Sequence, residues 1–384
     1  MKKVVFSVLL AILGVVMSVA SCTPKAAPQP AITPTLPSAK ATVPTSNLPP
    51  PTSQDADWDK TIAEAKKEGK ITMYTFSLTS DMGQAVTEAF EAKYGIKVEY
   101  LTGVGAQLIE RIKTEQAAKR FIADTLDTST TLMFIAKNGK LTVPTGNLPT
   151  LAQKNVWLAD PRQDEEGHLI SFNALYQTPY VNTTLVKPGD EPKSYQELLD
   201  PKWKGKIVAP DPNTVPNLPR LYSVMVSRKI QDEDFFRKLA KQEPKMAPTV
   251  RDDANIIIRG EAALSVSSTT NTLNPFISQG APVKPLDVKE GVILAMSPSI
   301  AIVNNAPHPN AARLMINWLV SSEGQTAYQK IRRNLSIRTD VPDFTPIAGQ
   351  IKPTKTVVST VADELEAARV QTEKVVTKLM GLMQ

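Results

Sequence analysis

The chain has 384 residues, with 44 Lys and Arg against 38 Asp and Glu, a single Cys and two His. Its formal charge of +6 sits mostly at the front: residues 1–54 hold Lys2, Lys3, Lys25 and Lys40 and no acid, which leaves 40 basic against 38 acidic residues, about +2, for the rest. A body so near neutrality, with no run of Lys and Arg, argues against a nucleic-acid partner, and one Cys excludes a disulfide framework.

Lys2 and Lys3 open the chain, an apolar stretch runs from Val4 to Val19, and small residues lead to Cys22. A basic start, a short apolar region and small residues before a cut predict an export signal over residues 1–22. The stretch falls short of the ~20 apolar residues that span a bilayer with ease. Val19-Ala20-Ser21-Cys22 resembles a bacterial lipobox, in which the Cys is lipidated; Cys22 is therefore the expected lipid anchor. Residues 23–54 include nine Pro (24, 28, 30, 34, 37, 44, 49, 50 and 51) and hardly any large apolar residue, so they read as an unfolded tether. Held extended by Pro at ~3 Å per residue, such a tether reaches up to ~100 Å.

Globular signals begin near Asp57. Trp58, Ile62 and Ala65 share a helical face that Gly69 ends, Ile71–Phe76 alternates as a strand, and Met82, Val86, Ala89, Phe90 and Tyr94 recur at helical spacing up to Gly95. A second strand follows at Ile96, Val98 and Tyr100, a helix from Leu108, a third strand over Phe121–Leu126 and a short helix to Asn138. Strand and helix alternating at this spacing predict a parallel α/β sheet. A second set follows: a strand-rich stretch from Leu169 to Val181, a short helix over Ser194–Leu199, a strand over Gly205–Ala209, and helices over Leu218–Lys229 and Asp234–Lys241. Ile256–Ile258 and Ala262–Val266 flank Gly260-Glu261. Gly291–Val303 reads as a returning strand, Pro309–Val320 as a helix, and Val358–Leu382 as one long amphipathic helix. The body of about 330 residues suits two lobes.

Four stretches carry a resemblance: Gly69–Tyr74; Tyr195–Ile207 with its Trp203-Lys204-Gly205-Lys206; Arg259–Leu264; and Ala306–Arg313 running to Trp318–Gln325. They resemble the family 1 extracellular solute-binding proteins of ABC importers, especially the ferric-ion-type branch, over roughly residues 57–340. The resemblance implies an α/β, two-lobed, periplasmic-binding-protein-like fold (type II), each lobe a mostly parallel sheet flanked by helices, with a solute cleft between the lobes. Residues 55–170 would form lobe 1, completed by about 287–345, and residues 171–286 lobe 2, joined by about 346–384. The chain would first cross near Leu169–Val181 and return near Lys284–Ala295. Clefts between lobes are common ligand sites, and hinge closure follows when solute touches both lobes.

By the same resemblance, ligand contacts lie on loops after strands. These are Ser77, Thr79 and Ser80; Thr128, Ser129 and Thr130; Asn213 and Thr214; and Ser267, Ser268, Thr269, Thr270 and Asn271, with Tyr176 and Tyr180 near the crossing strand. Hydroxyls and amides at helix starts either cap the helix or donate to an anion. Ferric-binding relatives carry adjacent tyrosines after the Gly-Glu-Ala stretch, where this chain has Ser267-Ser268-Thr269-Thr270. A polar or anionic solute is therefore expected, with ferric iron or an iron chelate as the alternative. Asp81 and Asp127 adjoin these loops and read as helix N-caps before cation ligands. His168 and His308 stand in no set with metal-ligand spacing, and neither a metal nor a cofactor is expected.

An enzyme is not expected: there is no Gly-x-Ser-x-Gly elbow and no phosphate loop, and Leu108 stands where the Gly103-x-Gly105 pattern would need a third Gly. The expected partners are the permease subunits of an ABC importer with their ATPase, a small solute, and the membrane through Cys22; the protein is expected to be an exported, anchored monomer. A solute-sensing lipoprotein without transport is the other alternative.

Overall fold

The computed structural model describes residues 53–78, 80–344 and 351–381. The expected signal segment, Cys22 and the tether up to residue 52 lie outside the described residues.

Helix α1 (Ser53–Glu68) ends at Gly69, whose φ of +72° is open to glycine at little cost. Strand β1 (Lys70–Thr75) leads to α2 (Ser80–Tyr94), then β2 (Lys97–Thr102), α3 (Gly105–Ala117), β3 (Thr125–Thr128), α4 (Thr130–Asn138), β4 (Thr142–Val143) and β5 (Ile170–Ser171). The third strand starts later than the expected Phe121. Phe121 and Ile122 are exposed, and the Asp124 carboxylate accepts from the Thr72 and His308 N–H groups at 2.7 and 2.6 Å, so this stretch is a joint.

The chain continues through β6 (Ala174–Asn182), β7 (Ile207–Pro210), α5 (Asn217–Ser227), α6 (Glu233–Ala240), β8 (Lys245–Ala247), α7 (Val250–Ile258), β9 (Leu264–Thr269), α8 (Thr270–Ile277), β10 (Val283–Pro285) and β11 (Val292–Met296). It returns through β12 (Ser299–Val303), α9 (Pro309–Leu319) and α10 (Ser322–Arg332), and closes with β13 (Thr356–Val358), α11 (Val361–Glu373) and α12 (Val375–Leu379). The long terminal helix expected from Val358 is broken: a capping box between Thr360 and Asp363 starts it later, and Lys374 at φ +56° divides it.

Two sheets result, one per lobe. The first runs β2-β1-β3-β12-β4, with β5 beside β12; the second runs β13-β11-β6-β9-β7-β8, with β10 beside β6. β1 pairs in parallel with β2 and β3, and β7 with β8 and β9, as βαβ connections require. The crossing strands run the other way: β12 is antiparallel to β3, and β6 to β9 and β11, so both sheets are mixed. The stretch read as one returning strand is two strands in different sheets, parted at Ser297-Pro298.

Helix α11 packs on α5 in the second lobe and on α4 in the first. Its Ala368 joins the apolar cluster of Leu132 and Met133, while Val370 joins that of Leu221 and Val224. In lobe 1, Trp318 meets Phe90 edge-on at 5.4 Å.

The motif at residues 321–325 is a packing corner. Ser321 caps α10 by accepting from Gly324 N (3.1 Å), and buried Gln325 donates to Phe172 O (2.7 Å) and Leu319 O (2.9 Å). A Cβ on Gly324 would lie 2.0 Å from Trp318 O. Gly324→Ala is therefore expected to cost about 1–3 kcal/mol, the range for overpacking, read as a lower denaturant midpoint at unchanged slope.

Candidate functional site

The chain passes between the sheets at 172–173 and at Ser297-Pro298. The crossings are locked together. Ser297 N donates to Asn173 O (2.9 Å), Asn173 Nδ2 to Ser297 O (3.1 Å), and the hydroxyls of Ser171 and Thr130 each to Met296 O (2.7 Å).

Against these crossings lies a cavity of about 300 Å³ walled by both lobes. Five helix starts border it. Ser129 caps α4, accepting from Leu132 N (3.4 Å), and Thr249 caps α7, accepting from Asp252 N (3.1 Å). The starts of α3, α5 and α8 have no side-chain cap: their leading residues are Val104, Pro216, and Thr269, whose hydroxyl pairs with that of Thr272 (3.0 Å). Of the other helices, α6 is capped by Asp232, α10 by Ser321, α11 by Thr360 and α9 by Glu68 through Ala311 N (2.7 Å), while the short α12 has no side-chain cap. First-turn N–H groups without a cap carry the positive end of the helix and attract an anion.

Among the described residues, Arg220 is the one charged side chain lining the cavity, and no Asp, Glu, His or Tyr lines it. Arg220 is 2% exposed. Its Nε donates to Glu364 Oε1 (2.5 Å), Nη2 to Glu364 Oε2 (3.4 Å) and Nη1 to Gln177 Oε1 (3.1 Å). Glu364, on α11, also accepts from Ser359 Oγ (3.1 Å) and from Thr131 Oγ1 of lobe 1 (2.6 Å), so one carboxylate holds parts of both lobes. The buried Thr128 hydroxyl has no partner among the described residues; it lies where a Cβ on Gly105 would come within 1.9 Å. Asn271 Oδ1 is likewise unpartnered.

Of the residues expected from sequence, Thr128, Ser129, Thr214, Thr269 and Asn271 line the cavity. Thr130 belongs to the crossing lock. Ser77 is buried, its N–H donating to Asp127 Oδ1 (3.1 Å). Thr79 lies outside the described residues, and Ser80 begins α2. Tyr176 points to the other face of β6, where it borders a separate cavity of about 220 Å³ with Thr270, whose hydroxyl accepts from Tyr176 N (3.1 Å). Tyr180 is fully buried in the second lobe. Ser267 accepts from Gln177 Nε2 (2.5 Å), Ser268 is buried beside Asp253, and Asn213 donates to Asp211 (2.8 Å).

Asp127 corrects a reading: it is no helix cap but a buried residue of β3, and burial pushes its carboxyl up to about 6. The structure also gathers Asp164, Glu166 and His168, with potential ligand atoms within 4.8 Å, which residue spacing did not suggest. Lys137 already pairs with both carboxylates, at 2.6 and 3.2 Å.

The sequence reading missed Arg220 and the apolar lining of Phe76, Val104, Leu132, Leu175, Val215 and Val250. A signal for Arg220 was present: a cation inside the apolar stripe of Leu218, Leu221 and Val224 must find a buried partner.

The profile of bacterial extracellular solute-binding proteins matches residues 85–356, and the chain belongs to that family. It is a solute-binding protein of the ABC-importer type. Iron uptake protein A1 of Synechocystis sp. is 26% identical over 267 residues, covering 66% of this chain and 72% of that protein. A putative 2-aminoethylphosphonate-binding periplasmic protein of Salmonella typhimurium is 24% identical over 288 residues, covering 71% and 80%. Iron-bound HitA from Pseudomonas aeruginosa shares the two-lobed fold, with a TM-score of 0.66 at 20% identity over 80% of this chain and 99% of that one. Among the described residues no helix is long and apolar enough to cross a membrane.

Proposed function

We propose that the protein is the lipid-anchored, extracytoplasmic receptor of an ABC importer and that its solute is a small anion held between the lobes. The observation that carries the anion reading is the convergence of three uncapped helix starts on one cavity whose described lining contains Arg220 and no carboxylate. Two of these starts belong to lobe 2 and one to lobe 1, so an anion that touches all three favours the closed lobes by its differential affinity. Closed protein is the form the permease and its ATPase would receive. No chemical step is required of the protein.

Relatives are named for iron and for a phosphonate. A bare ferric ion calls for hard oxygen ligands, and the described lining offers no phenol or carboxylate. Tyr180, a candidate ligand in sequence, is enclosed in the second lobe's core, and burial holds its phenol well above the usual range.

Thermal unfolding with phosphate, phosphonates, carboxylates, ferric salts and polyamines tests the reading. An anion at a hundred times its Kd stabilises by about 2.7 kcal/mol. Stabilisation by ferric ion alone, lost on replacing Tyr176 and Tyr180, would contradict it. The anchor is tested separately: wild-type protein is expected in the membrane fraction and Cys22→Ala in the soluble fraction or unprocessed. Soluble wild type would remove the anchor from the proposal.

A further inference from the structure

Resting on the anion reading above, we infer that the solute is an amphipathic monocarboxylate, its carboxylate at Arg220 and its hydrocarbon body against Phe76, Val104, Leu132, Leu175, Val215 and Val250.

The head group follows from Arg220. A guanidinium has five N–H bonds, and three are taken, by Glu364 and Gln177. One N–H remains on each of Nη1 and Nη2, left to donate a charge-assisted hydrogen bond to a carboxylate. Glu364 already balances the charge of Arg220, so one negative charge is matched by the three helix ends, while a second would lie buried without a counter-ion.

The body follows from the rest of the lining. Phe76 and Val104 are 37% and 46% exposed, on two loops of lobe 1 that face Val215 and Val250 of lobe 2 across the cavity. Large apolar side chains gathered at the mouth of a cleft mark a surface that something apolar covers. Of the lining hydroxyls that a sugar or a phosphate ester would need, Thr214 donates to Pro248 O, Thr249 to Asp252, and Thr269 pairs with Thr272, which leaves that of Thr128 without a partner among the described residues. At about 30 Å³ for each water-sized group, the cavity of about 300 Å³ holds about ten non-hydrogen atoms. That is the size of an arylacetate or a branched aliphatic acid.

The test is calorimetric titration of the full-length protein with phenylacetate, 4-methylpentanoate, acetate, inorganic phosphate, 2-aminoethylphosphonate and ferric citrate, on wild type, Arg220→Lys and Phe76→Ser. Phe76 is partly exposed, so its replacement tests the site even if the buried Arg220 variant folds poorly. Phenylacetate and 4-methylpentanoate are expected to bind at least tenfold more tightly than acetate. Phe76→Ser is expected to weaken both about tenfold and leave acetate unchanged, and Arg220→Lys to weaken all three carboxylates about tenfold. Tighter binding of acetate, phosphate, ferric citrate or the phosphonate than of phenylacetate, or no effect of Phe76→Ser, overturns this inference and leaves the anion reading standing. Silence of every anion with folded protein, or stabilisation by free ferric ion alone, overturns both.

Discussion

Glu364→Ala is expected to lower the free energy of unfolding by about 3–5 kcal/mol, the cost of leaving one member of a buried ion pair alone. Both members are 2% exposed, and without Glu364 the guanidinium of Arg220 keeps only Gln177 as a partner. The loss reaches lobe 1 as well, because the Thr131 hydroxyl donates to the same carboxylate. Arg220→Met combined with Glu364→Met is expected to recover most of the stability, since the charges disappear together and the volume stays filled. Urea unfolding of the two single variants and the double variant gives the coupling directly. A cost below ~1 kcal/mol for Glu364→Ala, the range of an exposed pair, would show that the pair is not shielded from water.

This pair marks where sequence stops being informative. Periodicity gave the alternation of strand and helix, and Gly69 and Gly95 stop their helices with the positive φ values such stops use. The corner at Ser321–Gln325 stood out in sequence because backbone packs on backbone at Gly324 and no side chain fits there. Lys374 takes a positive φ with no Gly or Pro to announce it, so one helix was read where there are two. Within Gly291–Val303 the break at Ser297-Pro298 does carry a local signal, since Pro cannot donate to a ladder; that the two halves enter different sheets is a matter of tertiary pairing.

The candidate site was legible as a set of loops and illegible as a set of side chains. A hydroxyl after a strand shows that a helix is starting; whether it faces a cavity depends on register. β6 and β9 shift register between Thr178 and Tyr180, and both Ser267 and Ser268 end up inside the lobe. Capping, too, is decided by distant groups: α9 receives its cap from Glu68, 242 residues away in sequence, whereas α3, α5 and α8 receive none. That these three uncapped starts meet at one cavity is a tertiary fact, and the proposed anion site rests on it.

Asp253→Asn is expected to stabilise the protein by up to ~4 kcal/mol at pH 8 and by almost nothing at pH 4. Asp253 lies on α7 beneath β9, fully enclosed, and accepts from Ser265 Oγ at 2.9 Å. Burial pushes its carboxyl from 3.8 up to about 7, against the hydrogen bonds from Ser265 and Ser268. Because the folded pKa is the higher one, the folded chain retains a proton that the unfolded chain has released between about pH 4 and 7. The stability linked to that proton is fully present below about pH 4 and is lost as the pH rises through about 7. At ~1.4 kcal/mol per pKa unit, a rise of about three units gives the ~4 kcal/mol that the neutral amide recovers at pH 8. Asp127 acts with the same sign over a narrower window, up to about 6, and Asp127→Asn is expected to gain less. The difference between variant and wild type, measured by urea unfolding from pH 4 to pH 8, removes the contribution of every other titrating group. A difference that stays flat across that range would show that Asp253 is ionised at its ordinary pKa, with water reaching it.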